Sequence, residues 1–481
     1  MSDEQSLVDK AAELIELVRS MAPGAQAEAT VDATELSLTR FANSFIHQNV
    51  ADASTTVRLR LHVDGRTATG GSSIVDTSGL HALVERTLAA ARLAPLDPQW
   101  PGLAPPAAVP TVPAVDEQTA YAEPDARAAR VRDFVAATDG LEAAGYCSTL
   151  RWARAFANSL GQSAASVSAL ASMDAIARQA GGDRKFDGVA RLSSARLSDL
   201  DGARLGARAA AKARAQEGAT ELPPGRYEVV LEPTAVFDLL DNLAMFGFNG
   251  KAVHEGRSFV EVGEAQFDPS VTIVDDPLDP RGLAATFDVE GTPKSRRTFV
   301  DAGVSAAVAH DRRSAALAGT VSTGHAMTGG ASWGAVPLNL QLLPAGDNAG
   351  TATSLAGDDH PAAGAGEVDG PVADASVAAL VAGVERGLLV SDFWYTRVLD
   401  PRTLVITGLT RNGVWLIENG VVTLPVQNFR FTQSYPQALA AGAVLGVGTH
   451  AIGLPSGWQA LCYRAPALRL ASWNFTGNPS G

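Results

Sequence analysis

Two adjacent residues, His254 and Glu255, have the types that begin a zinc-peptidase motif. In such a motif two histidines of one helix bind the metal, and the glutamate activates the metal-bound water. The second histidine is missing, because Ser258 and Phe259 stand at the fourth and fifth positions after His254. Gly256 also disfavours a helix here. Because zinc needs three correctly placed protein ligands, the pair predicts a loop without a metal.

Two other patterns have the residue types of a hydrolase or a metal site. Gly330-Ala-Ser-Trp-Gly334 places Ser332 in a GxSxG pattern, which as a nucleophile elbow needs a strand before the serine and a helix after it. The loop-like HAMTG precedes it and Pro337 follows it, so the pattern favours a tight turn. Asp358-Asp359-His360 lies between SLAG and PAAGAG, whose composition is that of a loop, and it is expected to be a solvated charge cluster.

Several single residues are compatible with more than one role. His325 and Cys462 are suited either to a structural position or to the lining of a cleft. Cys147 and Cys462 are far apart and form no CxxC pair, which is typical of free thiols in a reducing compartment. The chain has no P-loop and no GxGxxG after a strand, and this argues against the usual nucleotide-binding folds.

The composition limits the classes of partner. The 481-residue chain has a net charge of −14, from 38 basic and 52 acidic side chains. This charge repels phosphate backbones and anionic lipids, so we expect no nucleic acid partner and no membrane partner. No apolar stretch approaches the roughly 18 residues of a membrane span, and the N-terminus resembles an acidic amphipathic helix rather than a signal peptide. These features indicate a cytoplasmic protein of two or three structural units.

The N-terminal half predicts helices packed on antiparallel strands. Apolar residues at helical spacing mark a helix within the first 20 residues and another over 80–91, opened by Asp76 or Ser78 as N-cap. Residues 57–63 alternate between apolar and polar types, which indicates a half-exposed strand, and Asp64-Gly65 is a hairpin signal.

Further along the chain, composition marks a crossing, a possible repeat and a break. The density of proline near 95–113 excludes a helix or a central strand, so this stretch is a linker or a surface crossing. Phe41-Ala-Asn-Ser44 recurs as Phe156-Ala-Asn-Ser159, which suggests a duplicated unit. Pro223-Pro224-Gly225 interrupts the chain before a strand, and we place the main domain boundary there.

The C-terminal half is dominated by short alternating strands and glycine-containing turns. This pattern predicts an antiparallel, β-rich, barrel-like domain with two helices, near 234–246 and 373–386. The fold class is therefore α+β, with an N-terminal α+β domain at 1–220 and a β-rich domain at 221–481.

The chain from residue 202 onward resembles the TldD/PmbA family of metallopeptidases, also described as modulators of DNA gyrase. AAAKARAQEGATELPPGRYEVVLEP resembles the helix, turn and strand that lead into the family's third domain. The later family landmarks follow in order: FDVEGTPKSRRTFVDAGV, STGHA, GLTRNG, VWLIENG, and Cys462 followed by PALRLA. Residues 25–100 are similar more loosely.

The resemblance also implies a branch. In the metal-bearing TldD branch, HExxxH lies on the helix that here begins at Pro233. Asp241, Asn242 and Phe246 stand where His, Glu and His are expected. This departure is similar to the metal-free TldE (PmbA) branch, so the resemblance implies no metal, cofactor or catalytic residue in this chain. Zinc and the general base are expected in a TldD-like partner.

By resemblance, the pair encloses an unstructured peptide that is held as an added strand. Family substrates include leader peptides and labile antitoxins. The landmarks suggest substrate-binding positions at Asn249, Gly250, Ser322, Thr323, Gly324, His325, Arg411, Asn412 and Cys462.

Two other functions stay open at this point. One is a stand-alone peptide-binding or scaffolding protein of the same fold. The other is an independent hydrolase that uses Ser332 or Cys462. The resemblance leaves open a heterodimer or a homodimer, and it implies that the lone chain is inactive as a peptidase because HExxxH is absent.

Overall fold

Two β-sheets organise the computed structural model, which describes residues 3–179, 186–347, 370–372, 374–456 and 462–477. The N-terminal sheet has six strands from residues 26–194, and the C-terminal sheet has eleven strands from residues 225–477. Helices pack on both sheets, which confirms the predicted α+β class. The predicted charge cluster Asp358-Asp359-His360 lies outside the described residues.

The N-terminal part contains the order helix–strand–strand–strand–helix twice. The first unit consists of α1 (Asp3–Met21), β1 (Gln26–Ala42), β2 (Phe45–Val63), β3 (Arg66–Ser72) and α2 (Thr77–Leu93). The short helix α3 (Glu117–Ala120) precedes the second unit. That unit consists of α4 (Pro124–Ala137), β4 (Glu142–Asn158), β5 (Ser163–Arg178), β6 (Asp187–Ser194) and α5 (Gly202–Arg214), with a 3-10 turn at Leu197–Asp199 before α5.

The sheet order reflects this repetition. The strands follow the order β3-β2-β1-β4-β5-β6 and are antiparallel throughout, so the first strands of the two units are neighbours at the centre. Phe41–Ser44 leads from β1 into the β1–β2 hairpin, and Phe156–Ser159 leads from β4 into the β4–β5 hairpin. The recurring residues thus occupy equivalent hairpins in two units of the same topology.

The turn and the helix cap that the sequence predicts in the first unit are both present. Asp64 and Gly65 have φ of 51° and 69°, the left-handed pair of a two-residue hairpin turn, and Val63 lies opposite Arg66. Asp76 is the N-cap of α2, since its carboxylate accepts the Gly79 amide at 2.7 Å.

The proline-rich stretch between α2 and α3 crosses towards the C-terminal part of the chain. Asp97 pairs with the Arg313 guanidinium at 2.6 Å, and the Gly102 carbonyl accepts Arg312 Nε at 3.2 Å. The crossing is therefore fixed to residues that lie about 200 positions later in the chain.

The C-terminal sheet is mainly antiparallel, with two parallel pairings. Its strands are β7 (Gly225–Leu231), β8 (Ile273–Asp275), β9 (Arg297–Asp301), β10 (Val304–Ser305), β11 (Leu340–Leu342), β12 (Arg386–Asp400), β13 (Val405–Glu418), β14 (Val421–Val426), β15 (Arg430–Ser434), β16 (Val444–Leu454) and β17 (Tyr463–Gly477). β7, β12, β13, β15 and β17 form a closed ring, because β17 pairs with both β15 and β7. This ring is the barrel-like element; β12 with β7 and β11 with β17 are the parallel pairs.

Short helices connect these strands, and the apolar residues of several of them join one large core with the ring. They are α6 (Pro233–Asn242), a π-helical turn (Leu243–Gly247), α7 (Gly250–His254), α8 (Arg312–Leu317), α9 (Gly330–Trp333), α10 (Ala375–Ala382) and α11 (Tyr435–Ala438). The two helices predicted near 234–246 and 373–386 correspond to α6 with its π turn and to the shorter α10.

Buried charges connect the two parts of the chain. Glu232 accepts hydrogen bonds from Arg208 and Lys212 of α5, and Lys212 also donates to Ser391 of β12 at 2.7 Å. All three ionic side chains are largely shielded from solvent. The domain boundary at 220/221 stays a prediction, since this network couples residues on both of its sides.

Candidate functional site

Helix α6 presents a partly exposed polar face opposite its core face. Pro233 occupies the first turn, where its missing amide hydrogen costs nothing. Leu239 and Leu240 are buried in the C-terminal core, whereas Asp238 and Asp241 are only partly buried. The helix therefore holds two carboxylates in partly buried positions beside the core.

A π-helical turn follows α6 directly. The Phe248 amide donates to the Leu243 carbonyl at 2.8 Å, which closes a five-residue step. In an ordinary α-helix, residues five apart point in directions that differ by roughly 140°. The wider π turn reduces this difference for residues on either side of it, such as Asp241 and Phe246.

The side chains in these positions do not fit zinc. Asp241 supplies one carboxylate, and Phe246 has no ligand atom. Asn242 supplies an amide that donates instead to the Asp238 carbonyl at 2.9 Å. Zinc in proteins is bound by three or four Cys, His, Asp or Glu ligands, and among the described residues no group of three such side chains has a suitable arrangement.

The two carboxyls of α6 are difficult to ionise. Asp238 accepts hydrogen bonds from Thr396 at 2.6 Å and from Tyr435, but burial outweighs these bonds and raises its pKa to about 6. Burial, helped by the charge of Asp238, raises the pKa of Asp241 to about 7. At neutral pH, Asp241 is therefore present both as the acid and as the carboxylate, and it can donate or accept a proton.

His254 and Glu255 lie apart from this face, at the end of α7. Both are exposed, and Glu255 pairs with Lys251 at 2.5 Å and with Arg257. These exposed ion pairs are typical of a protein surface.

Six of the predicted substrate-binding residues surround a histidine that the sequence analysis did not select, His310. Ser322 and Thr323 both donate to the His310 carbonyl, at 3.2 and 3.1 Å. Gly250 lies so close to His310 that a Cβ atom there would be 2.4 Å from its ring. The six residues are Asn249, Gly250, Ser322, Thr323, Gly324 and His325, which we call the His310 cluster together with His310.

A buried pair of a histidine and a carboxylate forms the base of the His310 cluster. His325 Nε2 lies 3.0 Å from the Asp275 carboxylate, and its Nδ1 lies 2.8 Å from Thr323 Oγ1. Burial lowers the pKa of His325. Burial alone would raise the pKa of Asp275, but the His325 hydrogen bond, Lys294 and the Asn339 amide keep it below its usual value.

The remaining three predicted positions lie elsewhere. Asn412 is buried and donates to Asp392 at 2.9 Å, whereas Arg411 stacks on the Trp394 ring, with its guanidinium 4.4 Å from the ring centre. Cys462 is buried beneath the N-terminal sheet, and burial raises the pKa of its thiol. These three residues do not join the His310 cluster.

Ser332 lies in the tight turn that its sequence predicted. It is exposed on the four-residue helix α9, between Gly329 and Gly334, which have φ of 85° and 92°. The Asn249 amide donates to the Trp333 carbonyl at 2.6 Å and attaches this turn to the His310 cluster. No strand enters the turn directly before the serine, so the geometry of a nucleophile elbow is absent here.

Some of these residues had a sequence signal. Asp311 and Ser314 form a capping box, which marks the start of α8 and places His310 immediately before it. Asp275 ends the strand within VTIVDD, where a buried carboxylate follows apolar residues. Asp238 had no such signal, because its partners Thr396 and Tyr435 lie more than 150 residues away.

These features define a two-part α+β protein in which helix α6 continues into a π turn and carries two carboxyls of raised pKa. Residues 224–477 match the family described as PmbA/TldA metallopeptidase C-terminal domain. Because this match covers more than half of the chain, the protein belongs to the TldD/PmbA family, and the resemblance found in its sequence is confirmed.

Solved structures share the fold over nearly the whole chain. TldE from Thermococcus kodakarensis superposes with a TM-score of 0.83 and 17% identity, covering 97% of this chain and 100% of that one. A proposed modulator of a DNA gyrase from Thermotoga maritima gives a TM-score of 0.78 and 18% identity, covering 97% and 99%. At these identities the likeness extends to the fold only.

One relative matches a short part of the chain in sequence. A Methanocaldococcus jannaschii protein is 35% identical over 104 residues, which is 21% of this chain and 25% of that protein. The chain thus matches about a quarter of the length of that curated relative.

Within the described ranges, every helix is too short or too polar to cross a lipid bilayer.

Proposed function

We propose that this chain is the TldE-like subunit of a zinc metallopeptidase and that it binds no metal itself. One observation carries the proposal: Asp241, Asn242 and Phe246, which by the family resemblance stand where the metal motif is expected on α6 and its π turn, cannot hold zinc. By this proposal the metal and the general base belong to a TldD-like partner, and the lone chain is inactive as a peptidase.

An edge strand favours an assembly over a lone chain. Residues 45–56 of β2 pair with β1 on one side, while β3 covers only residues 57–63 on the other side. Within the described part of the chain, this leaves the outer edge of 45–56 without a strand partner. The segment has no proline or lysine, which commonly protect such edges. An exposed edge of this length supports pairing with another subunit.

The proposed substrate is an unstructured peptide, such as a leader peptide or a labile antitoxin. A peptide held as an added strand is recognised mainly through its backbone, so the enclosing subunit needs no catalytic side chain. The His310 cluster and Asp241 supply hydrogen-bonding groups and a group able to exchange a proton. We place them in the peptide-binding wall of the assembly.

The test compares the lone chain with a mixture of the chain and a TldD-like protein from the same host. We expect zinc in the partner but not in this chain, and cleavage of an unstructured peptide only by the mixture. A partner in which the HExxxH histidines are replaced by alanine is the matched control. Stoichiometric zinc in the lone chain together with cleavage by it would contradict the proposal.

The same experiment separates the other two functions. A stand-alone peptide-binding protein would bind the peptide without associating with the partner. A hydrolase that uses Ser332 or Cys462 would cleave after chelation of zinc and would lose activity in Ser332→Ala or Cys462→Ala. The buried Cys462 thiol argues against a nucleophilic role for that residue.

A further inference from the structure

Four side chains on β12 and β13 form a continuous stack, which we call the arginine–aromatic ladder. Arg411 lies 4.4 Å from the ring centre of Trp394, the Trp394 and Tyr395 rings are 5.6 Å apart, and Arg397 lies 4.2 Å from the ring centre of Tyr395. Trp394 is 50% exposed and Tyr395 is 59% exposed. Two large aromatic rings this open to solvent are available to a ligand.

The backbone of β12 explains why neighbouring rings both face outward. Successive residues of a regular strand point to opposite faces. The pairing of β12 with β13 shifts register between Trp394 and Arg397, and Tyr395 has a left-handed φ of 54°. Such a bulge redirects side chains, and a non-glycine residue with this φ is a local strain that the surrounding structure must maintain. The irregular backbone of β12 at Tyr395 therefore allows both rings of the ladder to face solvent.

Some arginines of the C-terminal sheet are neutralised by an acid and others are not. Arg386 pairs with Glu418, and Arg469 pairs with Glu228 at 2.6 Å. Among the described residues, Arg397 and Arg411 form no ion pair with a carboxylate. In a chain with a net charge of −14, two such cations, one at each end of the pair of aromatic rings, form a local attraction for anions.

β12 carries two acids, and both already have partners. Asp400 accepts hydrogen bonds from the Arg402 amide at 3.0 Å and from the Thr403 hydroxyl at 2.6 Å. Asp392 is bound by Arg191 at 2.8 Å and by Asn412 at 2.9 Å. Asp238 of helix α6 accepts a hydrogen bond at 2.6 Å from the hydroxyl of Thr396, the residue between Tyr395 and Arg397. This contact links helix α6 to β12 at the residue between two members of the ladder.

We propose that the arginine–aromatic ladder binds an acidic segment of an extended peptide, with carboxylates on Arg397 and Arg411 and apolar side chains on Trp394 and Tyr395. A guanidinium that stacks on a ring keeps its edge free for a carboxylate. The inference rests on the proposed function, to which it adds a substrate class: peptides rich in Asp and Glu that also contain apolar residues.

The test measures binding of two fluorescein-labelled peptides to the lone chain by fluorescence anisotropy. One peptide contains alternating Glu and Leu, and the other has Gln at each Glu. We expect the Glu peptide to bind about tenfold more tightly at low salt, and we expect Arg397→Gln with Arg411→Gln to remove that difference. Arg386→Gln, an exposed arginine of the same strand that is paired with Glu418, is the control and should keep the difference.

Further variants separate charge from packing. Arg397→Lys with Arg411→Lys keeps both charges, so most of the preference for Glu should remain, whereas Trp394→Ala should weaken both peptides. Circular dichroism and thermal unfolding establish that each variant is folded. Equal binding of the Glu and Gln peptides by the unaltered chain, or the same loss in Arg386→Gln as in the double variant, would overturn the ladder proposal.

Binding to the lone chain and cleavage by the mixture report on different proposals. If the mixture cleaves both peptides equally while the lone chain does not distinguish them, the ladder proposal fails and the proposed function stands. If the lone chain prefers the Glu peptide but no partner confers zinc-dependent cleavage, the proposed function fails and the ladder remains a site for acidic peptides.

Discussion

Replacement of Asp241 by asparagine should stabilise the protein above about pH 4, and the gain should be largest above about pH 7. The ordinary pKa of this carboxyl is 3.8, and burial with the help of Asp238 raises it to about 7 in the fold. Between these values the folded chain binds more protons than the unfolded chain. Stability is therefore lost as the pH rises from about 4 to about 7, and the loss persists above that range.

The structure sets the size of the effect. A pKa change from 3.8 to about 7 corresponds to about 4 kcal/mol if the carboxyl is fully desolvated. Asp241 keeps partial contact with solvent, which screens its charge and reduces the expected gain to about 2 kcal/mol. Asparagine has nearly the same shape and no charge, so Asp241→Asn removes the cost without opening a cavity.

The assay is urea unfolding at pH 4 and pH 8, followed by circular dichroism and tryptophan fluorescence. Asp241→Asn should raise the free energy of unfolding by about 2 kcal/mol at pH 8 and change it by less than about 0.5 kcal/mol at pH 4. Asp52→Asn, on the exposed part of β2, is the control and should have little effect at either pH. Destabilisation at pH 8, or the same gain at both pH values, would refute the assignment of a desolvated carboxyl to this face.

Three further substitutions or treatments test the packing described above. Glu232→Gln should cost about 3 kcal/mol in thermal unfolding because it leaves buried cations without their acid, whereas Glu418→Gln on the surface should cost less than about 1 kcal/mol; equal costs would contradict the buried network. Gly250→Ala should destabilise by about 2 kcal/mol, since its Cβ would be 2.4 Å from a histidine ring, and Gly71→Ala, with 3.6 Å to its nearest neighbour, is the control. Cys462 should resist iodoacetamide at pH 7.5 in the folded protein and react in urea, as detected by mass spectrometry; rapid labelling of the folded protein would revive a nucleophilic role.

Short-range chemistry made much of the N-terminal fold predictable. The hairpin at Asp64-Gly65 and the cap at Asp76 depend on residues within three positions of each other, so the sequence contains the whole signal. The repeated Phe-Ala-Asn-Ser was informative for the same reason, because it marks equivalent hairpins. The closure of the ring by β17 on β7 joins residues more than 200 positions apart, and no local pattern specifies it.

The candidate site was less predictable, since its members come together only through tertiary packing. Family landmarks identified STGHA and Asn249 but not His310, around which they gather. Asn412 and Cys462 come from equally recognisable segments, yet they are buried against the N-terminal part of the chain. A recognisable segment contains residues that face a cleft and residues that support the fold, and only burial and contacts distinguish the two.

The π turn is supported by packing that does not depend on Asp241. Leu243 and Ala244 fill the core, and a side chain at Gly247 would press on the Phe259 ring at 3.0 Å. Asn249 then caps α7 through its side chain. Phe246 also packs, partly buried, against the C-terminal core. Because none of these contacts involves Asp241, the side chain at that position can change without loss of this packing. Under the proposed function, the helix face is then a wall with a titratable carboxyl rather than a metal centre.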